Sequence, residues 1–260
     1  MSQGSVRDSV AASRANRPGN ARARPASGMR AHSGFWAEVQ NDELVSAVTD
    51  AIAAGRLTAG TKLGEEELGA LFGLGRTRVR QALRTLAFAG LVQLEPNRGA
   101  FVACPSLEEA EAVYAARRLI EGEIVREATR HCTANDIRRL RAHCAAQAAA
   151  QAEQPAYLRL LSEFHLLIAE IGGNMVLAEL LSGLVPRTAL MQALYQPPGE
   201  GGGPCAVDHH LHIIQLMAAG DTEGAAAAMA AHLTINLRAL DVGAGPPAAD
   251  LAAALGVVRA

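Results

Sequence analysis

Glycines at positions 55, 73, 75, 90 and 99 cut residues 38–102 into pieces too short for anything but a small helical unit ending in a hairpin. From Glu38 to Ala54 the apolar residues Leu44, Val45, Val48 and Ile52 keep helical spacing, and Gly55 supplies the stop. Gly60-Thr61-Lys62-Leu63 is long enough for one brief strand. Glu65–Phe72 reads as a second helix with three acids in its first turn, where the helix dipole favours them. Gly73-Leu74-Gly75 makes a tight turn, and a third helix runs from Arg76 to Ala89 before Gly90. Two strand-like pieces, Leu91–Glu95 and Ala100–Val102, are joined by Pro96-Asn97-Arg98-Gly99.

On the third helix Val79, Leu83 and Leu86 form the stripe that faces inward. Arg76, Arg80 and Arg84 fall within about 80° of one another on a neighbouring face, at 100° per residue. Three arginines on one helix face are ordinarily a solvated surface. Here they follow a two-helix turn and precede a glycine-tipped hairpin, which together describe a winged helix-turn-helix. In that fold the third helix enters the major groove, where arginine contacts guanine O6 and N7 or a phosphate.

The rest of the chain is helical by composition and by punctuation. Half of the 260 residues are hydrophobic, mostly alanine and leucine, and only 3% are aromatic, which argues against a large β-sandwich or barrel. Helices are expected over about 106–130, 133–152, 155–171, 174–195, 206–219 and 221–240, separated by breaks at Thr133, Pro155, Gly172-Gly173, the Gly/Pro-rich 197–204 and Gly220-Asp221. The fold class expected is therefore mainly α: a winged helix-turn-helix over 35–103, then an antiparallel all-α bundle over 104–242. Residues 243–260 read as a flexible tail. Residues 1–34 carry six arginines against Asp8 and read as a disordered basic tail, either an arm for phosphates or a plain solvated extension.

Charge follows the same division. Residues 35–103 hold seven basic and eight acidic residues, with Arg76, Arg78, Arg80 and Arg84 inside nine positions, whereas 104–260 holds 11 basic and 17 acidic. The basic charge thus lies in the tail and one short stretch. No apolar run of 18 residues and no signal-peptide pattern occur, so a cytoplasmic protein without a membrane partner is expected. Cys104, Cys132, Cys144 and Cys205 form no C-x-x-C pair and read as free thiols of a reducing compartment.

Gly55-Arg56-Leu57, Gly60, Leu63, Glu65, Leu68, Gly75-Arg76-Thr77-Arg78-Val79-Arg80-Gln81-Ala82-Leu83, Leu86, Gly90-Leu91-Val92, Arg98-Gly99 and Val102 closely resemble the GntR family of bacterial transcription regulators. The resemblance runs from 44 to 102 without a gap. It implies DNA contacts from Arg76, Thr77, Arg78 and Arg80 on the recognition helix, and from Arg98 and Gly99 at the wing. Gly75, Arg78, Gln81 and Glu66 depart from the usual pattern, Glu66 standing where some relatives place a DNA-contacting arginine. The operator sequence therefore does not carry over from a relative.

The second region is similar to the FCD effector domain of the FadR subfamily. Tyr114-Ala115-Ala116-Arg117-Arg118-Leu119-Ile120-Glu121 resembles its first helix, and Phe164-His165, Gly173-Asn174, His210, Asp221 and His232 match its later landmarks. Six helices rather than seven point to the VanR-like branch. In that family three histidines and an aspartate four residues before the first of them hold a divalent metal. The resemblance makes His165, His210 and His232 candidate ligands for Zn²⁺ or Ni²⁺, but the aspartate position is Leu161. Three imidazoles still suffice for a divalent ion with open positions; equally, they can be hydrogen-bonded pocket histidines without one. Glu163 is two residues from His165 and faces elsewhere, and His209 and His212 read as surface or supporting residues. Arg117 is a candidate partner for an effector carboxylate, the alternative being an interhelical salt bridge. Asn174 is a candidate N-cap first and an effector contact second.

The function expected is a homodimeric regulator, by family habit a repressor, that reads a pseudo-palindromic operator in double-stranded DNA and answers to a small carboxylate-type effector. Two other classes compete: a three-histidine metalloenzyme, and an architectural DNA-binding protein whose bundle only dimerises.

Overall fold

The computed structural model of the chain describes residues 42–196, 204–241 and 251–256. The basic tail expected over 1–34 lies outside the described residues, as does the side chain of Cys205. Among the described residues the N-terminal unit, the one expected to bind DNA, consists of α1 (Glu43–Ala53), β1 (Lys62–Leu63), α2 (Glu65–Phe72), α3 (Arg76–Phe88), β2 (Val92–Glu95) and β3 (Gly99–Val102). Asp42 caps α1, its Oδ1 accepting from the amides of Leu44 and Val45. The strands pair antiparallel in the order β1-β3-β2, with Leu63 opposite Ala100 and Val92 opposite Val102. Leu44, Val48, Leu57, Leu63, Leu68, Val79, Leu83 and Leu86 are buried under this sheet and the three helices, so the inward stripe read on the third helix is its buried face. Asn97 and Gly99 both take positive φ in the hairpin turn, which lets three residues reverse the chain.

The bundle contains α4 (Leu107–His131), α5 (Ala134–Ala149), α6 (Gln154–Gly172), α7 (Met175–Tyr195), α8 (Pro204–Ala218) and α9 (Thr222–Arg238). Ser106, Thr133, Asn174 and Asp221 cap α4, α5, α7 and α9 through their side chains, and Thr133 closes a reciprocal box with Asp136. Helix α4 is central: α6, α7, α8 and α9 all pack on it. Its Tyr114, Ile124, Val125 and Ala128 meet Phe164, Ile168, Leu181, Ile213 and Leu233 in the bundle core. No helix among the described residues is long and apolar enough to cross a membrane.

The expected flexible tail over 243–260 requires a correction. Residues Leu251–Leu255 form a further helix, α10, whose Leu251, Ala254 and Leu255 are buried in the core of the N-terminal unit beside α1. Arg56 Nε donates to the carbonyl of Ala254 at 2.7 Å. The reason is a pair of leucines at i and i+4, which gives even a single helical turn an apolar side to bury. The two units also touch directly: α1 packs on α6 and α7, and Leu190 of α7 belongs to the core of the N-terminal unit.

Candidate functional sites

The recognition helix starts at Gly75, an N-cap with no side-chain hydrogen bond, and has no acid in its first turn. Its first amides thus lack an internal acceptor, an arrangement suited to phosphate. Arg76, Thr77, Arg78, Arg80, Gln81 and Arg84 are all exposed on this helix, and Arg98 and Gly99 are exposed at the hairpin tip. A groove between α3 and the hairpin is walled by Glu65, Arg80, Leu83, Arg84, Glu95 and Asn97. Of the six residues expected to contact DNA, all exposed, Arg80 and Gly99 line this groove. The guanidinium of Arg98 also lies over the Phe101 ring, 5.4 Å from its centre.

Within the bundle, His165 of α6, His210 of α8 and His232 of α9 come together, one ligand-capable nitrogen of each lying within 4.8 Å of the others. All three are buried, and Phe164 stacks on His210 at 3.8 Å. The partners of each ring set its tautomer. His165 Nδ1 donates to Glu121 Oε2 at 2.5 Å, and His210 Nδ1 donates to Gln147 Oε1 at 2.9 Å. Asn236 Nδ2 donates to His232 Nε2 at 3.2 Å. His210 Nε2 lies only 3.3 Å from that same His232 nitrogen, a contact in which the tautomers decide which ring donates. Burial pushes the imidazoles of His210 and His232 well below the usual range, and the neighbouring histidines add to it. His165 is lowered too, by burial first and against the pull of Glu121. Neutral imidazoles offer the lone pair a divalent ion needs; Nε2 of His165 and of His210 is left to the cluster by their Nδ1 bonds, while that of His232 is shared with Asn236. A separation of about 3.4 Å is the edge of a tetrahedron with metal–nitrogen bonds near 2.1 Å. The donor set fits such an ion.

Glu121 is the functional residue that sequence reading passed over. It is fully buried, and burial alone would raise its carboxyl; Arg117 and His165 outweigh that and hold it at about 2. Arg117 Nε donates to Glu121 Oε1 at 2.5 Å, and its Nη1 donates to Thr188 Oγ1 at 2.6 Å. The salt bridge expected for Arg117 is real but lies within one helix, at i and i+4, and that spacing is the signal that would have found it. Arg117 Nη2 and His232 Nδ1 are buried with no hydrogen-bond partner among the described residues. Both residues line one cavity with Leu161, Ser162, His165, Thr188, Gln192, His210 and Asn236.

Leu161 lies on the cavity wall one turn before His165, so the side chain where an acid is expected brings only methyl groups. Glu163 is absent from the cavity lining, Asp208 and His212 are exposed, and His209 stands 5.8 Å from His232, centre to centre. Asn174 takes the first of its two expected roles, the N-cap. Its Oδ1 accepts from the Leu177 amide at 3.3 Å and its Nδ2 donates to Glu127, away from the cavity, so its hydrogen bonds serve as the cap of α7.

Comparison with known proteins accounts for both sites. Residues 40–102 match the profile of bacterial regulatory proteins of the gntR family, and residues 112–234 match that of the FCD domain. No curated protein matches the chain. Among solved structures, E. coli McbR/YncC is similar with a TM-score of 0.65 at 19% identity, covering 78% of this chain and 95% of that one. A putative GntR transcriptional regulator from Rhodococcus sp. RHA1 gives a TM-score of 0.64 at 22% identity, covering 86% and 100%. At these identities the two structures speak for the fold, while the two profiles, which between them span most of the chain, speak for the family. The chain belongs to the GntR family of bacterial regulatory proteins and carries an FCD domain: it is a DNA-binding transcription regulator, not an enzyme.

Proposed function

We infer that this regulator responds to a small carboxylate-type effector that enters the histidine cavity, and that a divalent metal held by His165, His210 and His232 forms part of that site. The observation that carries the reading is a pair of features on one cavity: three buried imidazoles whose nitrogens lie within 4.8 Å of one another, and the unpartnered Arg117 Nη2. A cation suits the first and an anion the second. When bound, the ion supplies a Lewis-acidic anchor for an anionic ligand. Arg117 orients the carboxylate, Glu121 holds His165 with its Nε2 toward the cluster, and Gln147 does the same for His210; Asn236, whose Nδ2 donates to His232 Nε2 itself, would have to yield that nitrogen to the ion. The six bundle helices among the described residues are the number expected of the VanR-like branch, and two recognition faces in a homodimer would read a pseudo-palindrome. Repression relieved by effector is the family habit and the sign proposed here, in a cytoplasmic setting.

The test is the metal content of untagged protein prepared without chelators, followed by zinc competition against a chromophoric chelator. About one Zn or Ni ion per chain is expected, lost in His165→Ala. Because Leu161 occupies the wall one turn from His165, Leu161→Asp should add a fourth ligand and tighten zinc by about tenfold or more. Wild-type protein that takes up no ion even after soaking would overturn the metal reading and direct the effector search to less polar acids.

A further inference from the structure

Three of the arginines expected to face DNA are already engaged by carboxylates of their own domain. Arg76 Nη2 donates to Glu66 Oε1 at 2.7 Å, and Arg80 Nε lies 3.0 and 2.9 Å from the two oxygens of Glu65. Arg98 pairs with Glu95. The acids approach from two directions, Glu65 and Glu66 from the first turn of α2 and Glu95 from the end of β2, and Glu65 and Glu95 flank the groove between α3 and the hairpin. Arg78 and Arg84, on the same helix, have no carboxylate partner among the described residues. The near-neutral charge of this domain is therefore acid set against base at the contact surface, rather than acid and base spread apart.

We propose that Glu65, Glu66 and Glu95 are resident competitors for DNA phosphate, which hold down the sequence-independent affinity of the regulator. A phosphate that takes Arg76, Arg80 or Arg98 must displace one anion in favour of another. The released carboxylate then stands beside the DNA backbone and has to take up a cation, which offsets part of the counterion release that drives non-specific binding. Contacts with base edges lie outside this exchange and keep their full value. The pairs are exposed, so each is weak enough to be exchanged and limits affinity by only about two- to fivefold. The proposal rests on the reading of Arg76, Arg80 and Arg98 as DNA contacts.

The experiment is fluorescence anisotropy of the full chain on a random-sequence duplex over a series of salt concentrations, so that no operator need be known. Glu65→Gln, Glu66→Gln and Glu95→Gln should each tighten binding by about two- to fivefold, and the triple variant by about tenfold or more. The dependence of log Kd on log salt should steepen, by up to about 0.9 for each phosphate contact regained. A merely structural role for these acids would not move that slope. Glu111→Gln, an exposed neutralisation on α4 in the bundle, controls for net charge and should change neither quantity. Arg80→Ala separates the two layers of inference. If it weakens binding while the glutamine variants bind no more tightly than Glu111→Gln, the competitors are refuted alone. If Arg80→Ala has no effect either, the reading of the DNA face fails with them.

Discussion

Glu121 takes two partners in a space closed to water: it accepts from Arg117 with one oxygen and from His165 with the other. A carboxylate in that position is stable only while both cations or donors remain, because a buried charge left alone costs far more than the pair contributes. Glu121→Leu should therefore destabilise the fold by about 3–5 kcal/mol, since it strands Arg117 inside the bundle. The double variant Arg117→Met/Glu121→Leu should lie closer to wild type than either single change; urea denaturation of the four proteins measures this. A strictly additive result would mean that the two side chains do not depend on each other. At this scale the sequence was only partly legible. His165, His210 and His232 stood out by residue type and by their places in the family pattern. Glu121 was one glutamate among many until the fold buried it, and Asn174 carried a capping signal that the fold uses.

Among the elements, the helices and strands were readable because glycine, proline and the capping residues mark where each helical period stops. The hairpin was readable from Pro96 to Gly99, whose backbone the turn requires. Helix α10 was not. Five residues after a Gly/Pro-rich stretch are too few for a helix to hold by itself, and only contact with α1 makes it one. Its contribution can be measured. Removing residues 243–260 exposes the faces that Leu251 and Leu255 cover and frees the Arg56 guanidinium from the Ala254 carbonyl. The truncated chain should lose about 1–3 kcal/mol of stability by chemical denaturation, the scale of burying one aliphatic side chain or two partial ones. Leu251→Asp should reproduce most of that loss. Unchanged stability in both would mean that α10 rests on the domain without supporting it.

At the scale of the whole molecule, the two cores share a boundary. Leu190 belongs to one, and Ala193 and Leu194 pack against both. Calorimetry should accordingly show one transition for the described body of the chain, and zinc at about 100 times its Kd should add about 2.7 kcal/mol to the whole. That corresponds to a rise of roughly 5–10 °C in Tm for a protein of this size. A separate transition that zinc leaves in place would mean that the DNA-binding domain unfolds independently.

One helix makes that boundary consequential. On α7, Thr188 and Gln192 form part of the cavity wall, while Pro186, Ala189, Leu190 and Ala193 line the apolar crevice against Ile52 and Ala53 of α1. A residue advances about 1.5 Å along a helix axis, so Thr188 and Leu190 are only about 3 Å apart in height. Pro186 removes a backbone hydrogen bond from the same turn. The distance from message to reader is thus less than one helical turn, and no relay of intervening residues is needed. An occupant that moved α7 itself at Thr188 would also move the surface on which the DNA-binding unit is seated.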